Sequence, residues 1–168
     1  MRLEIAKRPT APVLEAPVSL QITQTGGDTF NLSANVSSDG SATAVTKELA
    51  VTIENEDNKD ATVKILLYNP KTDKEGLPDD LENKYFIVYY EIGSTKHYLY
   101  NEELSDEGYL DTPPILLTKN SAMEITIGVE LKDAPAGIFK DNASYTMHIY
   151  FYQPNADYYD VVTYTITT

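Results

Sequence analysis

The chain has 168 residues, no cysteine and no tryptophan, and 26 acidic against 13 basic side chains, for a formal net charge of −13. That length suits one domain whose core needs no covalent staples, and the missing cysteines exclude thiol catalysis, cysteine-held zinc and iron–sulfur clusters. So acidic a chain lacks the basic surface that displaces counterions from nucleic acid, and no run approaches the roughly 18 apolar residues of a membrane span.

The first stretch, "RLEIAKRPTAPVLEAPVSLQI" (2–22), divides the chain into an extended N-terminal arm, 1–17, and a β-sandwich domain, 18–168. Leu3 and Ile5 alternate with Arg2 and Glu4 as in a short strand, and Pro9, Pro12 and Pro17 then exclude helix and disfavour a central ladder position. The arm has no apolar stretch of the secretory type, so either the chain is not exported by that route or the sequence is already processed. Through residue 24 it carries Arg2, Lys7 and Arg8 against Glu4 and Glu15, which leaves a mildly basic arm on a strongly acidic body.

Along the body the hydrophobic period is 2. Val18, Leu20 and Ile22 alternate with polar residues, as do Leu49, Val51 and Ile53, and Val63, Ile65 and Leu67. "YFIVYYEI" (85–92) is apolar on both faces, which predicts a central strand or one whose second face is covered. "STKHYLY" (94–100) predicts a hairpin. Met123, Ile125, Ile127, Val129 and Leu131 line one face of a half-buried antiparallel strand. Tyr145, Met147, Ile149 and Phe151 line another, and Val162, Tyr164 and Ile166 a last one. Turn-forming runs separate these segments, among them "TGGD" (25–28), "NPKTDKEGLPDD" (69–80) and "QPNAD" (153–157). A short helical turn fits 79–84 or 101–107. About eight to ten such strands in one domain predict an all-β fold, an antiparallel two-sheet sandwich of the Ig-like or jelly-roll kind.

No motif carries catalytic chemistry. His97 and His148 have no HExxH partner and read as surface residues, and the chain lacks a nucleophile elbow, a P-loop and a dinucleotide fingerprint. We therefore expect no enzyme, no catalytic residue, no metal and no cofactor. The acidic runs "ENEDNKD" (54–60) and "DEGYLD" (106–111) offer oxygen ligands at close spacing but match no calcium loop; they read as solvated turns that discourage aggregation. Asn31, Asn35 and Asn142 head sequons and are candidate glycan acceptors in an exported protein, with Asn31 and Asn35 expected on one strand face. Tyr150, Tyr152, Tyr158 and Tyr159 fall on two strands joined by "QPNAD", as candidate interface aromatics or as cross-strand pairs that stiffen the sheet.

"TKELAVTIENEDNKDATVKILLY" (46–68) and "ILLTKNSAMEITIGVELKDAPAGIFKDNASYTMHIYFY" (115–152) resemble the Ig-like sandwich subunits of extracellular filaments. These are the TasA/camelysin-like fibre proteins and the archaeal thread and bundling-pilus proteins. The resemblance implies that an N-terminal segment of one subunit completes the sandwich of the next. An open sheet edge presents unpaired backbone groups that an extended segment can fill, and a head-to-tail contact that does not close propagates a fibre.

The chain is accordingly expected to be an extracellular or cell-surface filament subunit whose partners are copies of itself. Leu3, Ile5, Val13, Leu14, Val18, Leu20 and Ile22 are the assembly-arm candidates, with 2–7 as first donor and 13–23 as second. Two readings stand beside it: a virion subunit, capsid or decoration, that exchanges the same arm, and a carbohydrate-binding module that uses the tyrosines and a calcium ion.

Overall fold

In the computed structural model, which describes residues 13–67 and 76–168, the alternation read along the chain becomes ten strands. They are β1 (Leu20–Gln24), β2 (Thr29–Asn31), β3 (Val45–Asn55), β4 (Ala61–Leu66), β5 (Phe86–Ile92), β6 (Thr95–Tyr100), β7 (Ile115–Leu117), β8 (Ala122–Leu131), β9 (Ser144–Gln153) and β10 (Tyr158–Thr167). One short 3-10 turn, Asp79–Leu81, interrupts them. Of the two expected helical turns, that at 79–84 is this one, and residues 101–107 form hydrogen-bonded turns instead.

The strands pack as two five-stranded sheets, β1-β3-β8-β5-β6 and β2-β10-β9-β4-β7. Every pairing is antiparallel except that of β2 with β10. The central strands β3, β8 and β5 on one sheet, and β10, β9 and β4 on the other, follow the B-E-D and G-F-C arrangement of an Ig-like sandwich. The position of the last strand of such a sandwich is filled by β10, so no interior strand is missing among the described residues.

The core lies where the periodicity puts it. Val51 and Ile53, Val63 and Ile65, Ile125 to Leu131 in alternation, Met147, Ile149 and Phe151, and Val162, Tyr164 and Ile166 are all buried between the sheets. Burying each such side chain contributes roughly 1.5–3 kcal/mol.

The two-faced strand at 85–92 is explained by its neighbours. β5 lies inside its sheet between β8 and β6, and on its outer face the Tyr89 ring lies across Gly128 of β8. A Cβ built on Gly128 would stand 2.1 Å from the Tyr89 ring. The Tyr89 hydroxyl donates to Glu48 Oε1 of β3, and Lys96 Nζ caps the ring 4.5 Å from its centre. Burial and the Glu48 carboxylate push the Tyr89 phenol well above its usual range.

Candidate assembly edge

The N-terminal strand is shared between the sheets. β1 pairs with residues 51–55 of β3, the chain turns at Gly27 (φ 83°), and β2 pairs in parallel with residues 165–167 of β10. Each short strand therefore covers only one end of a ten- or eleven-residue neighbour. Among the described residues, no strand pairs with β3 over 45–49 on the β1 side, nor with β10 over 158–164 on the β2 side.

The phase of the uncovered β10 stretch is set by its covered end. Thr165 N–H donates to Asp28 O, and Thr167 O accepts from Leu32 N–H, so odd-numbered residues bond toward β2. By the two-residue repeat, the backbone groups of Val161 and Thr163 point into the open edge. Both side chains are exposed, Val161 at 49 %, and Tyr158 is 42 % exposed at the start of the strand. The even-numbered side chains point inward: Val162, Tyr164 and Ile166 are core, and Asp160 occupies the same row. Its Oδ2 is buried with no hydrogen-bond partner among the described residues, and burial raises the carboxyl above its usual range.

Beside Asp160 runs a groove of about 260 Å³, lined by Pro17, Val18, Ser19, Leu20, Tyr158 and Asp160. Its far wall is clamped by one side chain. Gln153 ends the core-facing row of β9 and is 4 % exposed. Its Oε1 accepts from Val18 N–H at 2.8 Å, and its Nε2 donates to Val18 O at 2.9 Å. Asp57 Oδ2 accepts from the next amide, Ser19 N–H, and Glu15 N–H donates to Asn155 O in the β9–β10 turn. The chain thus enters the domain at this turn, with Val13 (90 %) and Leu14 (58 %) exposed just before it.

Of the assembly-arm candidates, Leu3 and Ile5 lie outside the described residues. Val13 and Leu14 stand exposed at the β9–β10 end, Val18 is buried, and Leu20 and Ile22 are half-buried within β1 on the chain's own β3. β1 already pairs with the chain's own β3, so the second-choice donor, 13–23, would have to leave that pairing from residue 20 onward to be donated to another copy.

Three of the four tyrosines meet across the β9–β10 pair. Tyr152 and Tyr159 stand directly opposite each other with rings stacked at 4.4 Å, and Tyr150 meets Tyr159 edge-on at 6.2 Å. Tyr152 and Tyr159 hydroxyls both donate to Asp157 Oδ1, and Tyr150 is buried, so these three rings pack on one another; Tyr158 turns to the groove instead.

The expected shared face of Asn31 and Asn35 is not formed. β2 ends at Asn31, and Asn35 sits in the following turn, where its N–H donates to Leu32 O, because Asn31 Oδ1 caps Ser33 N–H and turns the chain. Asn142 is exposed in a turn with φ 53°. His97 stacks on Tyr90 at 4.9 Å, and His148 Nδ1 pairs with Thr163 Oγ1. In the acidic loop, Asp57 and Asp60 accept backbone N–H groups of Ser19 and Lys119. No cluster of three or more His, Asp or Glu side chains suited to a metal ion forms among the described residues.

No protein-family model matches the chain, and no curated protein matches it by sequence. Solved structures of similar outline include a FixG-related protein from Vibrio parahaemolyticus, at 6% identity and TM-score 0.48, covering 92% of this chain and 98% of that one. Two others come from enterotoxigenic Escherichia coli. The CssB subunit of colonization factor CS6, complemented with a donor strand from CssA, has 10% identity and TM-score 0.42 over 88% and 95% of the two chains. The CooA pilin subunit has 12% identity and TM-score 0.42 over 90% and 97%. Likeness at this level is one of strand arrangement and transfers no activity or partner.

Proposed function

We propose that the chain is a non-enzymatic structural subunit that assembles with copies of itself by strand addition into an extracellular or cell-surface filament, with residues 2–7 as the donated segment. The observation that carries this reading is the stretch of β10 left uncovered among the described residues, where Val161 and Thr163 turn backbone groups to the open edge beside exposed apolar side chains. Natural sheets usually shorten, charge or cover such an edge. Here the sandwich already holds its own last strand, so a donated strand extends a sheet rather than filling a gap in it.

Each added ladder bond contributes about 0.5–1.5 kcal/mol, and burial of Leu3 and Ile5 adds roughly 1.5–3 kcal/mol apiece. The contact joins two different surfaces, the arm of one copy and the edge of the next, so it is heterologous and propagates unless its rotation closes.

The test is light scattering on the full chain beside a variant lacking residues 1–12, with electron microscopy of both. Linear polymers from the full chain and monomers from the truncated one are expected. Closed shells would replace the filament by the virion reading, and monomers from both at high concentration would overturn assembly by this arm.

A further inference from the structure

We infer that the acceptor is the uncovered edge of β10, and that residues 3–7 of a second copy dock there antiparallel in one register, with Lys7 reaching Asp160. This rests on the proposed assembly by the arm and adds to it the place, direction and selectivity of the contact.

Two features of the edge and one of the arm fix the register. The uncovered stretch runs from Tyr158 to Tyr164 and is closed at its far end by β2, so it has room for a strand of about seven residues. Its inward row reads Tyr164, Val162, Asp160: an aromatic and an aliphatic core side chain and then a carboxylate, with the Tyr164 hydroxyl and Asp160 Oδ2 both buried and without a hydrogen-bond partner among the described residues. The arm, read from its start, has Leu3, Ile5 and Lys7 on one phase: two apolar side chains and then a cation. Laid antiparallel, Leu3 stands opposite Tyr164, Ile5 opposite Val162 and Lys7 opposite Asp160. Glu4 and Ala6 then fall opposite Thr163 and Val161, the residues whose backbone groups face the edge. In this register Pro9 lies opposite Tyr158 on the phase that points away from β10, where its missing N–H costs no ladder bond.

The parallel orientation would carry Lys7 toward the apolar end beside β2. A second copy is the occupant rather than the chain's own arm because Pro9 and Pro12 bias Arg8 and Ala11 to extended backbone. Five residues, 10–14, separate Pro9 from Glu15, which is bonded to Asn155, and a return onto the chain's own β10 would need a tight turn at Ala11-Pro12, where proline holds the backbone extended.

Asp160 gives the edge its selectivity. An inward-pointing charge on an open strand normally guards against pairing, because any apolar strand laid over it buries the charge unpaired. A donor that brings an ammonium to that point removes the penalty, while other strands meet it in full. The same carboxylate therefore admits one partner and rejects the rest.

The natural chain has no cysteine, so disulfide mapping has no background. The single variants Ala6→Cys and Glu4→Cys are each mixed with Val161→Cys and with Thr163→Cys, and oxidised during assembly. Ala6→Cys is expected to link to Val161→Cys, and Glu4→Cys to Thr163→Cys, with the crossed pairs linking weakly. Asp160→Asn is expected to raise the critical concentration about tenfold, as loss of a charge-assisted contact does. Wild-type polymers with no link at either position overturn the acceptor while leaving arm-driven assembly standing. A chain carrying both Ala6→Cys and Val161→Cys that closes only on itself overturns the second copy as occupant. Stronger assembly by Asp160→Asn makes the carboxylate a guard alone and overturns recognition of Lys7. Failure of the wild-type chain to assemble at all refutes the underlying reading instead.

Discussion

Two stretches left uncovered by the divided N-terminal strand, 45–49 of β3 and 158–164 of β10, arise from the same cause and are finished differently. Both are left by one N-terminal strand divided between two sheets, too short in each half to span its neighbour. On β3 the exposed side chains are Thr46, Lys47 and Glu48, and Glu48 is held by the Tyr89 hydroxyl. Charges of both signs along an edge oppose its pairing with another chain. On β10 the exposed residues are Tyr158, Val161 and Thr163, and the one charge of the stretch points inward. The difference separates an edge closed to any strand from one open to a strand that satisfies Asp160.

The most severe way to break the contrast is to close the open edge. Val161→Pro removes a donor that faces away from β9, so the β9–β10 ladder keeps its bonds while the edge loses one. We expect the critical concentration for assembly to rise at least about a hundredfold, read by sedimentation, with the melting temperature of the monomer near that of the wild type.

Gln153→Leu acts on the clamp that holds the groove wall. It leaves Val18 N–H and O without the partners they have now, and a buried unsatisfied group costs about 1–3 kcal/mol. A fall in melting temperature of roughly 5–15 °C should follow, together with loss of protection at Val18 in hydrogen exchange. The smallest effect concerns the guarded edge. Gly128→Ala pushes Tyr89 off its seat and loosens Glu48, at a cost of about 1–3 kcal/mol. Denaturant unfolding should record it, and assembly through β10 should be unchanged.

Much of this was legible in the sequence. The phases of Met123 to Leu131, Tyr145 to Phe151 and Val162 to Ile166 set which side chains are core, because a strand's period of 2 survives into the fold unchanged. β2 and β7 were not legible, since three residues carry no period and their pairing is decided by distant strands. The edge was hidden for the same reason: which half of β10 stays uncovered depends on where β1 gives way to β2.

Two further residues carry a signal in the sequence. Gln153 continues the apolar row of β9, and Asp160 that of β10, so each is a polar group on a core-facing phase. Such a residue must find a partner or remain unsatisfied, and the two outcomes mark the clamp and the acceptor. Asn55, at the end of the core-facing row of β3, repeats the first outcome by donating to Lys59 O and Leu117 O.

The most direct measurement is amide hydrogen exchange at Val161 and Thr163 in the assembled full chain and in the variant lacking residues 1–12. The account predicts slow exchange at both amides in the assembly and fast exchange in the truncated chain, with Thr165 slow in both through its bond to Asp28. Assemblies in which Val161 and Thr163 exchange as fast as in the truncated chain would contradict it.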